Sequence, residues 1–183
     1  MKAINQLAVG AALLFGAAAI SSCSEDKNEF LGTWTSSAPE TVVPAIEGST
    51  SATAVTTFEF SQGSDKSNGP VKMTTDYVIT APDSVGNAIN YTVKASVEGK
   101  WTREDKDNDD YFISFDQNTL DVAAVDGPDG LGAVTSTFLG SLSQYSKIDD
   151  VEVTKDGTVL SFELNGPDRK VSFTKKRVLI LES

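Results

Sequence analysis

The sequence predicts an all-β domain of antiparallel strands that contains one short helix. The first observation is a period-two alternation of apolar and polar residues, clearest where Val71, Met73, Tyr77 and Ile79 share one face of a strand. The second is that turn-forming residues separate eight or so strands at intervals of roughly ten to twenty residues. The third is the single cysteine, Cys23, which leaves the fold without a disulfide and dependent on its core. This pattern indicates a closed antiparallel barrel or a sandwich.

The N-terminal segment has the layout of a secretory signal. Lys2 supplies the positive charge, residues 7–20 are apolar, and Ser21 and Ser22 are small residues before Cys23. The alternative is a transmembrane helix, but the apolar run is shorter than the ~20 residues that span a bilayer. We therefore expect residues 1–22 to be a cleaved signal peptide.

Ile20-Ser21-Ser22-Cys23 resembles the lipobox of bacterial lipoproteins, in which the cysteine is acylated and becomes the first mature residue. The resemblance implies that Cys23 is the lipid attachment site, bearing palmitate or similar chains, and that the protein is anchored in the outer membrane. Residues 23–29 are expected to form an acidic tether. The tether also resembles the surface-export signal of lipoproteins from gut Gram-negative bacteria, and a merely solvated linker is the alternative.

Charge and composition exclude several classes of function. The net charge of −11 repels phosphate backbones, so we expect no nucleic-acid partner. The chain has no histidine and one cysteine, so a Ser-His-Asp triad, a Cys-His pair and the usual zinc sites cannot be assembled. We expect no catalytic residues, no cofactor and no enzymatic activity.

The elements follow in order from Phe30. Residues 30–35 are aromatic and β-branched and predict the first strand, whereas residues 36–51, rich in Pro, Ser and Thr, predict a loop or irregular edge. Further strands are predicted at residues 54–60, 71–79 and 91–101, with Gly99 marking a bulge or bend. Two shorter strands, residues 111–115 and 120–124, are predicted to be joined by a tight turn at Gln117-Asn118.

Helical spacing replaces alternation after Gly130, where Leu131, Val134, Phe138 and Leu142 predict one short helix. Strands are then expected from residue 151, after the Asp156-Gly157 turn, and from residue 171 to the C-terminus. The apolar phase slips near residues 175–177, which predicts a bulge in the last strand.

Gly32-Thr33-Trp34, at the start of the first strand, resembles the Gly-x-Trp signature of lipocalin-like (calycin) domains. The mature domain, residues 30–183, resembles the lipocalin-like domains of lipoproteins from gut bacteria. The resemblance implies a mostly up-and-down β-barrel with Trp34 packed at its closed end, beneath a basic side chain such as Arg177 or Arg169. The chain departs from the family pattern because at least two strands follow the helix.

Residues 105–110 form the densest carboxylate cluster in the sequence. Oxygen-rich loops suit Ca²⁺, but the spacing departs from that of an EF-hand, which requires Gly where Asp110 stands and Glu where Asp116 stands. We therefore interpret the cluster as a solvated acidic turn and expect no metal site.

Two functions remain open. The first is a non-enzymatic, lipid-anchored domain that binds a small apolar or amphipathic ligand in a barrel cavity. The second is an interaction module with a filled barrel that contacts a protein or a glycan through loops such as residues 36–51. An eight-stranded barrel is wide enough for either, so the interior decides between them. The sequence identifies no ligand-binding residue, and a monomer is the default.

Overall fold

The computed structural model describes residues 29–42, 48–105, 109–126, 131–165 and 169–176. Within them, strands alternate with tight connections and one α-helix intervenes late in the chain. The elements are β1 Gly32–Ser36, β2 Glu40–Thr41, β3 Ser51–Phe60, β4 Asn68–Pro82, β5 Ala88–Arg103, β6 Tyr111–Asp126, α1 Leu131–Leu142, β7 Lys147–Val153, β8 Val159–Leu164 and β9 Lys170–Lys175.

Antiparallel pairing closes the sheet into a ring. The strands follow the order β1, β9, β8, β7, β6, β5, β4, β3, and β1 also pairs with β3. Trp34 on β1 lies opposite Lys175 on β9 and opposite Phe58 on β3. The predicted all-β, mostly up-and-down barrel is therefore confirmed. The short β2, within the predicted irregular segment 36–51, pairs only with β3 among the described strands.

The strands differ greatly in length, which divides the barrel into two halves. β4, β5 and β6 have 15 or 16 residues, whereas β8 and β9 have six. We call the end of the ring that carries Trp34, Phe60, Trp101 and Tyr111 the closed end. At the other end, the far half, β3 to β6 extend beyond the short strands and α1 packs against β5 and β6.

The predicted helix after Gly130 is confirmed, and the strands predicted after it are present as β7, β8 and β9. Val134, Phe138 and Leu142 are buried on one face of α1, and a 3-10 turn carries the chain on to buried Tyr145. The inner faces of the long strands carry four small buried side chains, which leave room for a helix: Ala52, Ala54, Ala81 and Ala95. In the far half α1 therefore fills the space above the sheet.

The tight turn predicted at Gln117-Asn118 is wrong, because β6 continues through these residues as one strand. The register jumps there: Ser96 lies opposite Asp121 and Glu98 opposite Asp116. Four β6 residues, 117–120, thus stand across from one residue of β5, as in an enlarged bulge.

Side chains satisfy the backbone within this bulge, so no chain reversal is needed. The hydroxyl of Thr119 accepts a hydrogen bond from the Glu98 N–H at 2.8 Å and donates one to the Asp116 carbonyl at 2.7 Å. The Asn118 N–H donates to the Asp116 carboxylate at 3.0 Å. Turn-forming residues in the sequence therefore mark a bulge here.

Gly99 lies beside the bulge, close to the predicted irregularity. It is opposite Val71 on one side and Phe115 on the other. A Cβ at residue 99 would collide with the carbonyl oxygen of Ser114. Glycine is needed because the neighbouring backbone approaches too closely for any side chain.

The Asp156-Gly157 turn is confirmed between β7 and β8, with Gly157 at φ 67°. Asp156 accepts hydrogen bonds from the hydroxyls of Thr154 and Thr158 at 2.6 and 2.8 Å. The predicted bulge at residues 175–177 reaches Arg177, which lies outside the described residues, so that prediction is not tested.

Candidate functional site

Aromatic rings fill the interior of the half of the barrel next to the closed end, which we call the closed half. The side chains of Trp34, Trp101, Phe58 and Phe162 are completely buried. Phe162 stacks on Phe173 with ring centroids 5.1 Å apart, and Phe58 lies 5.5 Å from Phe173. The relative exposures at or near zero mean that these rings face each other and not a water-sized cavity.

A second aromatic cluster closes the barrel end. The Phe30 ring lies 5.0 Å from Trp101, 4.6 Å from Tyr111 and 5.2 Å from Phe60, with mostly edge-to-face geometry. Such pairs are worth ~0.5–1.5 kcal/mol each beyond their buried area. Phe30, which precedes β1, therefore forms part of the aromatic layer at the closed end, which we call the barrel floor.

Trp34 is buried at the closed end, as the Gly-x-Trp resemblance implied. Its indole N–H donates to the Phe30 carbonyl at 2.6 Å, so the buried polar group is satisfied. The basic residue above the ring is Lys175, whose Nζ is 5.1 Å from the ring centroid. Arg169, one of the two expected residues, is wrong for this role because its guanidinium pairs with Glu40 at 2.9 Å. Arg177, the other, lies outside the described residues.

A surface cleft of about 500 Å³ opens beside the closed end. Its walls combine apolar and charged side chains, among them Phe30, Arg103, Tyr111, Val151, Val153 and Lys155. Glu29, Asp109 and Glu152 add negative charge at its margin. The cleft therefore presents a mixed surface of polar and apolar atoms with charges of both signs.

A bulge in β7 forms one wall of this cleft. Asp149 lies opposite Glu163 and Glu152 opposite Ser161, so residues 150 and 151 share a single partner position. Asp150 has φ 49°, a left-handed conformation that is uncommon for residues other than glycine. The Val151 N–H donates to the Asp109 carbonyl at 3.1 Å, which ties this wall to the β5–β6 connection.

Arg103 forms the opposite wall of the cleft, and two contacts hold its side chain in place. Its guanidinium is 3.3 Å from the Asp109 carboxylate and 6.0 Å from the Tyr111 ring centroid. The side chain is only 15% exposed, so the charge is partly desolvated. A desolvated cation next to aromatic carbon suits an amphipathic or carbohydrate ligand better than a purely apolar one.

The acidic turn, residues 105–110, is described in part, because residues 106–108 lie outside the described ranges. Asp109 pairs with Arg103, and the Asp110 carboxylate accepts a hydrogen bond from the Asp150 N–H at 3.3 Å. Across the described ranges, acidic residues are nowhere grouped in threes that could hold a metal ion. Both of these carboxylates have protein partners.

The two tyrosines with shifted titration are in the core and not in the cleft. Burial raises the pKa of Tyr77 to about 12. Burial, reinforced by the negative charge of Glu40, raises the pKa of Tyr145 to about 12. Both hydroxyls therefore stay protonated at neutral pH.

The cleft was not predicted from the sequence, although one signal for it was present. Ile148 has the opposite parity to Val151 and Val153, and that phase slip marks the β7 bulge. The predicted lipid attachment site, Cys23, the signal peptide and residues 23–28 of the tether lie outside the described residues. In the part of the chain that the structure describes, no helix is long and apolar enough to cross a membrane.

The chain matches no protein-family model, and it matches no curated protein sequence.

Proposed function

We propose that this protein is a lipid-anchored lipoprotein of the bacterial outer membrane whose filled barrel is a non-enzymatic interaction module for a protein or a glycan. The observation that carries the proposal is the packing of the interior. Phe58, Phe162 and Phe173 occupy the closed half, and Phe138 of α1 occupies the far half. A partner would then bind at the outer surface of the barrel.

The anchor supports a definite orientation. Glu29 is six residues after Cys23 in the sequence, and six residues span at most about 20 Å. Because Phe30 forms part of the barrel floor, the closed end is held near the membrane and the far half points away from it. The loops of the far half are therefore the first surfaces that an approaching partner meets.

A second candidate function is binding of a small amphipathic molecule, and the cleft beside Arg103 favours it. The half-buried side chains of Val151 and Val153, with the guanidinium of Arg103, suit a ligand that has an apolar body and an anionic or hydroxylated end. Such a ligand would bind at the surface of the closed end and not in a central cavity.

Fractionation of cells that express the wild type and Cys23→Ala tests the anchor. We expect the wild type in the membrane fraction and Cys23→Ala in the soluble fraction, whereas the control Ser24→Ala stays in the membrane. Equal membrane retention of Cys23→Ala contradicts the anchor.

Native mass spectrometry of the full chain purified from cells tests the filled barrel. We expect the mass of the acylated polypeptide alone. A stoichiometric copurifying apolar molecule would contradict the filled-barrel function. Loss of that molecule in Arg103→Ala would assign it to the cleft.

A further inference from the structure

One edge of the far half is an open β-strand. β6 pairs with β7 only at Tyr111 and Phe112, and the Ile113 N–H then bonds to the Ser146 carbonyl at 2.9 Å. From residue 114 to residue 125, the ladder hydrogen bonds of β6 within the described ranges are made with β5 alone. We call residues 114–125 the free edge.

The register of β5 shows which backbone groups of the free edge point outward. The Arg103 N–H bonds to the Ser67 carbonyl, so the odd-numbered residues of β5 direct their backbone groups toward β4. Their partners on β6 must then direct N–H and C=O away from β5. The β6 residues opposite Gly99, Ala95 and Val93 are Phe115, Val122 and Ala124.

These groups are accessible to another chain. Ala124 is exposed, Phe115 and Val122 are half-buried, and the adjacent Val125 is 63% exposed. Helix α1 packs on the inner face through Val134 and Phe138, and among the described residues it makes no backbone hydrogen bond to the edge. Residues 122–125 are apolar, and such an exposed stretch of edge strand is a ready template for a further strand. Proteins usually blunt edges with lysine, proline or a bulge. The free edge contains no lysine or proline, and its bulge at residues 117–120 confines the template to the residues after it.

The charges on the free edge indicate what kind of partner segment can bind there. The charged side chains between residues 114 and 125 are those of Asp116 and Asp121, both acidic and exposed. If a second copy paired on the same edge, the carboxylates of the two copies would lie close together. Each copy also has a net charge of −11, so this pairing is electrostatically unfavourable. A strand that carries lysine or arginine beside apolar residues complements the edge.

We propose that the free edge binds an extended, basic polypeptide segment of a partner protein by β-strand addition. Outward N–H and C=O groups at Val122 and Ala124 supply the ladder, as in other strand-addition complexes. A surface cleft of about 530 Å³ adjoins the start of the edge and can take a partner side chain; it is lined by Phe115 and Thr119, by the carboxylates of Glu98 and Asp116, and by Lys100. This inference rests on the proposed interaction function and names its partner.

The probe is a labelled peptide of alternating valine and threonine, flanked by lysines. Its binding to the full chain in detergent is measured by fluorescence anisotropy. Ala124→Pro removes an N–H that points away from β5, so the fold should tolerate it. We expect Ala124→Pro to weaken peptide binding at least tenfold. Ala124→Val keeps the N–H and should bind as the wild type does.

A second variant tests the charge requirement and covers the case in which Ala124→Pro fails to fold, as judged by circular dichroism. Asp121→Lys should weaken binding of the basic peptide several-fold, and a peptide with glutamates in place of lysines should bind the wild type poorly.

The inference is overturned if the basic peptide does not bind the wild type, or if it binds the folded Ala124→Pro variant as tightly as the wild type. It is also overturned if sedimentation shows a dimer that Ala124→Pro dissolves, since the occupant is then a second copy. A copurifying apolar molecule would defeat the filled-barrel function without affecting these peptide results.

Discussion

Lys175 lies over the indole ring of Trp34, and the two residues are also direct neighbours across the β1–β9 pair. The contact joins the first strand of the barrel to the last described strand, at the point where the ring closes. Gly32 permits this arrangement because its φ of 132° is a backbone conformation that residues with a side chain rarely adopt. Ring closure therefore depends on Gly32, Trp34 and Lys175 together.

Trp34→Ala is expected to lower the free energy of unfolding by roughly 3–5 kcal/mol, because a fully buried ring and its hydrogen bond to Phe30 are lost. No disulfide compensates the loss, since Cys23 is the sole cysteine of the chain. Chemical denaturation followed by the fluorescence of Trp101, which is also fully buried, measures the change. An unchanged midpoint would contradict a structural role for Trp34.

Lys175→Met should lower the free energy of unfolding by about 0.5–1 kcal/mol through loss of the cation over the Trp34 ring. Methionine keeps most of the apolar stem, so the change reports mainly on the charge. Lys176→Met is the matched control, because Lys176 is the next residue and its backbone N–H, which the substitution keeps, bonds to the Thr33 carbonyl. Equal effects of both variants would show that the charge above Trp34 contributes nothing specific.

Local pattern was sufficient for an antiparallel all-β fold, barrel or sandwich, but not for the irregularities of its strands. Alternation placed Trp101 and the faces of β4 and β5 correctly, because a one-residue slip would expose the core, whereas the burial of Trp34 was expected from the Gly-x-Trp resemblance. The bulge at residues 117–120 was interpreted as a hairpin, since the same residue types satisfy the backbone in turns and in bulges. Only the partner strand, through Glu98 and Thr119, distinguishes the two.

The candidate site was harder to predict than the fold. Arg103, Tyr111 and Val151 come from three separate elements, and no spacing in the sequence connects them. The same holds for Lys175, which acts in place of the expected Arg169 because the β1–β9 register determines which side chain reaches Trp34. Long-range register is a property of the assembled sheet.

Gly99→Ala should strongly destabilise the protein, because the new Cβ would collide with the Ser114 backbone. Gly140→Ala is the matched control: it lies in α1, is exposed and has open space where the new Cβ would stand. It should raise the free energy of unfolding by ~0.5–1 kcal/mol through helix propensity. Thermal melts of both variants measure the contrast, and a Gly99→Ala melt at the wild-type temperature would contradict the close approach of β5 and β6.

Calcium is expected to leave the melting temperature unchanged. Asp109 and Asp110 already have protein partners, Arg103 and the Asp150 N–H, so an ion would have to displace them. A ligand that binds the folded state stabilises it by mass action, so a thermal melt in millimolar Ca²⁺ is a sensitive measurement. A rise of several degrees, abolished in Asp109→Asn, would establish a metal site in the turn.

High pH should destabilise the fold through Tyr77 and Tyr145. Both have a folded-state pKa of about 12 because of burial, whereas an unfolded tyrosine titrates near 10. The unfolded chain therefore loses these protons first, and the stability is complete below pH ~10 and lost as the pH rises toward 12. Denaturant midpoints between pH 9 and 11.5, with tyrosinate absorbance as a second signal, measure this decline. A Tyr77→Phe, Tyr145→Phe double variant should show a shallower decline, since lysine titration is common to both proteins. Identical slopes would mean that neither hydroxyl is held protonated by the core.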